Sequence, residues 1–84
     1  MDVKRNSKQG LIKLFVNRLP KRMNDDELLQ LFIKYHVIKA KIECKGYGLV
    51  YFYTKEDAKE AYDVMNGCEI GRKRIRINWK KEES

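Results

Sequence analysis

The chain is poor in the residues that build covalent, metal or catalytic sites. Its 84 residues include two cysteines and one histidine. Cys44 and Cys68 form no CxxC pair, and His36 belongs to no metal-ligand cluster, so we expect reduced structural thiols, no metal and no cofactor. The sequence also shows no Ser/His/Asp or Cys/His arrangement, phosphate-binding loop or paired carboxylates. These absences argue against an enzyme.

Long hydrophobic runs and negative charge are also scarce. No apolar run approaches the ~20 residues of a membrane span, and the polar, basic N-terminus lacks the apolar region of a signal peptide. We therefore expect a nuclear or cytoplasmic protein without a membrane partner. Acidic residues number 12 against 19 Lys and Arg, which gives a formal net charge of +7. Many soluble domains are basic, but this is the sign expected of a protein that neutralises phosphates.

The length allows one small domain, and the hydrophobic content of 43% is enough for a compact core. We expect this domain to span residues 11–80 and to be monomeric. Residues 1–10 and 81–84 are polar and charged, so they are predicted to be flexible tails.

The hydrophobic pattern predicts the element order βαββαβ. Alternating residues predict strands at 12–17, 38–44, 45–52 and 74–78. The first helix is expected to begin after Asn24, with Glu27 completing a capping box, and the second to span about 55–65 with Thr54 as its cap. The predicted helix faces toward the sheet comprise Leu28, Leu31, Phe32 and Tyr35, and Ala58, Ala61, Tyr62 and Met65.

Two helices on one face of a four-stranded antiparallel sheet would leave the other face open. Strand alternation predicts that the inward side chains include Ile12, Leu14, Val16, Ile38, Ala40, Ile42, Cys44, Val50, Phe52, Ile75 and Ile77. The open face would carry Phe15, Tyr47, Leu49 and Tyr51 at its centre. Around them lie polar and charged residues: Lys13, Asn17, Lys39, Lys41, Glu43, Lys45, Arg74, Arg76 and Asn78. Aromatic rings within a basic surface suit single-stranded nucleic acid, because bases stack on rings while the backbone passes cations.

Two segments resemble the signature sequences of the RNA-recognition motif family. Residues 45–52, KGYGLVYF, match the RNP1 pattern [K/R]-G-[F/Y]-[G/A]-F-V-x-[F/Y] at every fixed position except the fifth, where Leu49 replaces an aromatic residue. Residues 14–19, LFVNRL, resemble RNP2, the strand that pairs with RNP1. The resemblance extends from about residue 11 to residue 80. It implies an α+β, ferredoxin-like βαββαβ sandwich that binds single-stranded RNA.

The resemblance also implies roles for individual residues. Phe15 would stack on a base, Tyr47 would pack against sugars and Lys45 would contact phosphate. Asn17, Arg76 and Asn78 would hydrogen-bond base edges. The remaining RNA-binding candidates are Lys13, Lys41, Leu49, Tyr51 and Arg74.

The last predicted strand carries a second, shorter resemblance. Residues 74–79, RIRINW, are similar to the end of the second such motif in the T-cell intracellular antigen and polyuridylate-binding proteins. This similarity implies a preference for U-rich RNA and a role in mRNA processing.

Several alternatives stay open at this point. Leu49 lacks a π-face, so a peptide-binding module of the same fold, using either the sheet or the helices, is the rival function. Single-stranded DNA is an alternative ligand, a terminal segment covering Phe15 and Tyr47 is another reading, and tandem domains or a protein partner are compatible with the sequence. Arg72-Lys73-Arg74 is either a solvated face or a phosphate contact. Trp79 has inward parity, which favours packing over a role as a base platform.

Overall fold

The computed structural model describes residues 11–79, so the predictions for both tails and for the end of the domain at residue 80 lie outside the described residues. The elements follow the order β1 (Ile12–Asn17), α1 (Asp25–Phe32), a 3-10 turn (Ile33–Tyr35), β2 (Lys39–Cys44), β3 (Tyr47–Phe52), α2 (Lys55–Met65), β4 (Glu69–Ile70), β5 (Lys73–Arg74) and β6 (Arg76–Trp79). The four-stranded sheet has the order β2-β3-β1-β6 with antiparallel neighbours. The predicted α+β sandwich is confirmed.

Both helices begin at the predicted caps. Asn24 Oδ1 accepts a hydrogen bond from Glu27 N at 2.8 Å, and Glu27 Oε1 accepts one from Asn24 N at 3.1 Å, which completes the capping box of α1. Thr54 Oγ1 accepts from Asp57 N at 3.1 Å at the start of α2. These bonds satisfy backbone N–H groups that have no partner within the helix.

The core lies between the helices and one face of the sheet. Apolar residues from the sheet strands, both helices and the connecting segments are buried there: Leu14, Val16, Leu19, Leu28, Phe32, Tyr35, Val50, Phe52, Ala58, Ala61, Met65, Ile75 and Ile77. Phe32 and Phe52 contact edge to face, with ring centroids 6.4 Å apart. Trp79 packs on this same side, 5.8 Å from the ring of Tyr62 on α2, although it stays 40% exposed.

A side chain from a helix end caps each edge strand of the sheet. Ile42 N on β2 donates to Asp25 Oδ1 at 2.7 Å, and Ile77 N on β6 donates to Asn66 Oδ1 at 2.8 Å. An edge strand otherwise presents unpaired backbone groups that invite pairing with another chain. Asp25 and Asn66 each satisfy one such N–H group and link an edge strand to a helix end.

The β2–β3 hairpin differs from the prediction in two respects. Lys45 and Gly46 form its turn, with Gly46 at φ 81°, and are not part of strand β3. The register between β2 and β3 also shifts between Ile42 and Cys44, so Cys44 pairs with Tyr47 and is exposed. The inward assignment of Cys44 was wrong, because an extra residue at a bulge reverses the alternation beyond it.

The predicted last strand at 74–78 is divided in the structure. Lys73 and Arg74 pair with Glu69 and Ile70 in a separate two-stranded ribbon, and the sheet strand comprises Arg76–Trp79. Ile75, between them, is buried, and its backbone bonds to Gly67 and Cys68. The alternation had predicted that Arg74 lies on the open face of the four-stranded sheet. This was wrong, because Arg74 belongs to the separate ribbon.

His36 ends the first helical segment in a left-handed conformation, with φ 65° and ψ 39°. A glycine would adopt this conformation without strain. Left-handed backbone costs a non-glycine residue about 1–2 kcal/mol.

Gly48 on β3 permits the close approach of α1 to the sheet. A Cβ atom at this position would lie 2.7 Å from Leu28 Cδ2 and 2.9 Å from the backbone oxygen of Lys41. The side chain of Leu28 can move, but the oxygen of the neighbouring strand cannot move without disturbing the ladder. We predict that Gly48→Ala lowers the free energy of unfolding by about 1–3 kcal/mol in denaturant titrations.

Val64→Ala serves as the control for this measurement. Val64 is 54% exposed on α2, and its truncation should change the free energy of unfolding by less than about 0.5 kcal/mol. Equal stability of Gly48→Ala and the unmutated protein would contradict the close approach of α1 to β3.

Candidate nucleic-acid interface

The strand registers arrange the open face of the sheet as three rows of side chains that cross the strands. The first row holds Lys13, Tyr51 and Lys39, which are direct neighbours on β1, β3 and β2. Lys13 Nζ lies 5.9 Å and Lys39 Nζ 5.6 Å from the centroid of the Tyr51 ring. Both distances are within cation–π range. The ring of Tyr51 therefore lies between two cations.

The second and third rows contain the aromatic centre. Across β6, β1, β3 and β2, the second row reads Asn78, Phe15, Leu49 and Lys41, and the third reads Arg76, Asn17, Tyr47 and Cys44. Phe15 and Tyr47 are diagonal neighbours whose ring centroids lie 6.0 Å apart at 86°. This edge-to-face contact is a favoured aromatic geometry, and it fixes the two rings relative to each other. We call the residues of these three rows the sheet face.

The centre of the sheet face is less open than its rim. Phe15, Tyr47, Leu49 and Tyr51 are partly buried, because neighbouring side chains on a pleated surface shield one another. Three cations at the rim are exposed: Lys39, Lys41 and Arg76. The fourth, Lys13, is partly buried. The result is a shallow surface of rings and one aliphatic side chain, surrounded by positive charge and by the amides of Asn17 and Asn78.

Among residues 11–79, the acidic residues lie outside the three rows of the sheet face. The three rows include no Asp or Glu, and Glu43 falls at the bulge of β2. The first turns of the helices carry the acidic residues Asp25, Asp26, Glu27, Glu56 and Asp57. Because both helices pack on the core side of the sheet, these carboxylates sit on the opposite side from the sheet face. An anion approaching the open side therefore meets a positive surface.

The structure brings most of the predicted site residues together. Nine of them share the sheet face: Lys13, Phe15, Asn17, Lys41, Tyr47, Leu49, Tyr51, Arg76 and Asn78. The other two lie beside it. Lys45 is exposed in the β2–β3 turn, and Arg74 belongs to the β4–β5 ribbon.

Sequence reasoning missed Arg18. It follows β1 directly, has a left-handed backbone with φ 63°, and is exposed. Arg18 lines two neighbouring depressions, one of about 430 Å³ with Asn17, Arg76 and Asn78, and one of about 370 Å³ with Arg72, Lys73 and Arg74. Alternation gives no direction for a residue beyond the strand end. The available signal was a basic residue adjoining the predicted contact Asn17.

Within residues 11–79, no group of three or more His, Cys, Asp or Glu side chains is arranged to hold a metal ion. Cys44 and Cys68 are free thiols. The helices in this part of the chain are too short and too polar for any of them to cross a membrane.

Comparison with known proteins identifies a family for the chain. The family model of the RNA recognition motif matches residues 14–76. Over 68 residues the chain is 34% identical to the Polyadenylate-binding protein RBP47C' of Arabidopsis thaliana, a match that covers 79% of this chain and 16% of that protein. The family is an RNA-binding domain and not an enzyme family.

Solved structures agree with the family match. The first two RRM domains of the yeast poly(U)-binding protein superpose with a TM-score of 0.83 at 26% identity, covering 98% of this chain and 55% of that one. A Sxl-lethal protein–RNA complex gives a TM-score of 0.77 at 29% identity, covering 86% of this chain and 48% of that one. The chain thus spans about half the length of these solved chains and a smaller part of the curated relative.

Proposed function

This chain belongs to the RNA recognition motif family, and on that premise we propose that it binds single-stranded RNA across the sheet face. The observation that carries the proposal is the Phe15–Tyr47 pair, fixed edge to face at the centre of a basic surface whose rows contain no carboxylate. Bases gain about 1–3 kcal/mol each by stacking on aromatic side chains, and cations around the rings neutralise the phosphates that accompany them.

We assign the central contacts to the second and third rows. Phe15 stacks on one base, and Tyr47 packs against the sugars of adjoining nucleotides. Asn17, Arg76 and Asn78 offer hydrogen-bond donors at the edge of this apolar centre, which suits the edges of unpaired bases. Leu49, next to Phe15, gives a base an apolar support without a π-face.

The basic rim supplies the phosphate contacts. Lys41 lies on the edge strand β2 and Arg76 on the opposite edge strand β6. Lys45 lies in the β2–β3 turn, and Lys13 and Lys39 flank Tyr51. Such contacts release counterions, so log affinity should fall with log salt by about 0.7 for each phosphate neutralised on a single strand.

We further propose that U-rich sequences bind best, within mRNA processing in the nucleus or cytoplasm. The support is the similarity of residues 74–79 to polyuridylate-binding proteins, together with the structural neighbour named as a yeast poly(U)-binding protein. The curated relative is named for polyadenylate, so A-rich RNA is the appropriate competitor. The yeast neighbour contains two RRM domains, and this chain covers 55% of it. If a second such domain were linked to this one, the two together would bind RNA with higher avidity than either alone.

A peptide-binding module is the second candidate function. Two observations favour it: Leu49 replaces an aromatic ring at the centre of the sheet face, and Ile33 and Val64 are 51% and 54% exposed on the helical side. The basic rim and the Phe15–Tyr47 pair weigh against it, since neither is needed to hold an apolar peptide segment.

We predict that Phe15→Ala and Tyr47→Ala each weaken binding of a short U-rich RNA by about 1–3 kcal/mol, because each removes a ring from the stacking surface. The dissociation constant should rise about five- to 150-fold in fluorescence anisotropy titrations. Both side chains lie outside the buried core, so circular dichroism should show a folded protein.

Tyr53→Ala is the matched control for these variants. Tyr53 is 70% exposed just beyond the end of β3 and belongs to none of the three rows, so its loss should leave the affinity unchanged. Unchanged affinity in both folded Phe15→Ala and Tyr47→Ala proteins would contradict RNA binding at the sheet face.

We predict that Leu49→Phe tightens binding of the same RNA by about 1–2 kcal/mol. The substitution supplies a second stacking ring beside Phe15, and Leu49 lies on the open side of the sheet, where a larger side chain does not overpack the core. The measurement is the ratio of the two dissociation constants. Weaker binding by a folded Leu49→Phe protein would mean that leucine is fitted to a different ligand, and would favour the peptide-binding alternative.

A further inference from the structure

Four cations surround an open depression beside the sheet face. The side chains of Arg18, Arg72, Lys73 and Arg74 line a volume of about 370 Å³, and all four residues are exposed. We call this depression the arginine groove. Arg18 comes from the end of β1, and the other three come from the β4–β5 ribbon. No Asp or Glu is among the lining residues.

The two elements that form the arginine groove are joined by the fold. Gly71, in the turn of the β4–β5 ribbon at φ 67°, lies beside Pro20: a Cβ there would be in van der Waals contact with Pro20 Cγ, at 3.4 Å. Leu19 is fully buried and its N–H donates to Gly46 O at 3.0 Å, which anchors the segment after Arg18. At the other side, Ile75 is buried directly after Arg74. The cations therefore stand on anchored backbone.

The arginine groove matches an anion in charge and in the geometry of its donors. Four exposed cations that line one depression repel each other, although Arg74 has a carboxylate, Glu69, as its cross-strand neighbour. Guanidinium groups present forked donors that match the oxygens of phosphate. A phosphate in the groove would offset the repulsion and use the donors of three arginines.

We propose that the arginine groove binds a backbone phosphate of the RNA strand after it leaves the bases on the sheet face. The proposal rests on the proposed function and extends it by naming the route of the strand. Arg18 lines both this groove and the neighbouring depression formed with Asn17, Arg76 and Asn78, so the two adjoin at Arg18. A strand crossing the third row therefore reaches the groove past the ends of β1 and β6.

If the groove binds a phosphate, variants of its residues should change the affinity for long RNA more than the affinity for short RNA. An oligouridylate of about four nucleotides is covered by the sheet face, whereas one of about eight nucleotides also reaches the groove. Arg18→Asn removes the charge with a residue that tolerates left-handed backbone, and Arg72→Gln removes a charge from an exposed turn. Each variant should weaken binding of the longer RNA about two- to tenfold. Binding of the shorter RNA should stay unchanged in Arg72→Gln, because Arg72 lines the groove and not the depression beside Asn17.

Salt dependence gives a second readout. For the longer RNA, the slope of log affinity against log salt should become shallower by about 0.7 in each variant, because one phosphate contact is lost. Lys55→Gln makes the same change of net charge at an exposed position at the start of α2, and it should leave both the slope and the affinity near the unmutated values.

Two results would overturn the arginine groove without affecting the sheet face. One is that folded Arg18→Asn and Arg72→Gln proteins bind the longer RNA as Lys55→Gln does, with an unchanged slope. The other is an equal loss for both RNA lengths in Arg72→Gln, which would place Arg72 at the contacts of the sheet face itself. In either case, loss of binding in Phe15→Ala would leave the proposed function intact.

Discussion

The central pair of antiparallel strands, β1 and β3, carries both the core and the candidate interface. Leu14 and Val16 on β1 and Val50 and Phe52 on β3 are buried against the helices, and alternation then turns Phe15, Tyr47, Leu49 and Tyr51 to the other side. A shift of one residue in this register would exchange the two sets. Burial of the core residues therefore places the aromatic side chains on the open side, and the edge-to-face contact of Phe15 and Tyr47 then fixes the two rings relative to each other.

The edges of the sheet determine where the polar side chains stand. Asp25 holds β2 against α1, and Asn66 holds β6 at the end of α2, each through a backbone N–H. These bonds locate Lys41 on one edge strand, and Arg76 and Asn78 on the other. Because the helices carry their acidic first turns on the core side, the two faces differ in charge. A single-stranded polyanion is thereby directed to the side that also carries the rings.

Most of the fold and the centre of the site could be predicted from the sequence, because both depend on periodicity. Alternation in residues 12–17 and 47–52 gave the core and the sheet face together, and Asn24 and Thr54 marked the helix starts. Departures from regular geometry could not be predicted in this way. Three features interrupt the period of two: the bulge that exposes Cys44, the ribbon that contains Arg74, and the left-handed backbone of Arg18. The arginine groove is formed by two of these interruptions.

The most direct test of the central claim is a titration of the ¹⁵N-labelled protein with a short U-rich RNA, followed by amide chemical shifts. The claim predicts that the largest changes fall on β1 and β3, around Phe15, Tyr47 and Leu49, with smaller changes at Arg76 and Asn78. The amides on the outer surfaces of α1 and α2, such as Gln30 and Glu60, should not move. Shifts confined to the helices, or none at RNA concentrations that saturate related domains, would contradict RNA binding on the sheet face.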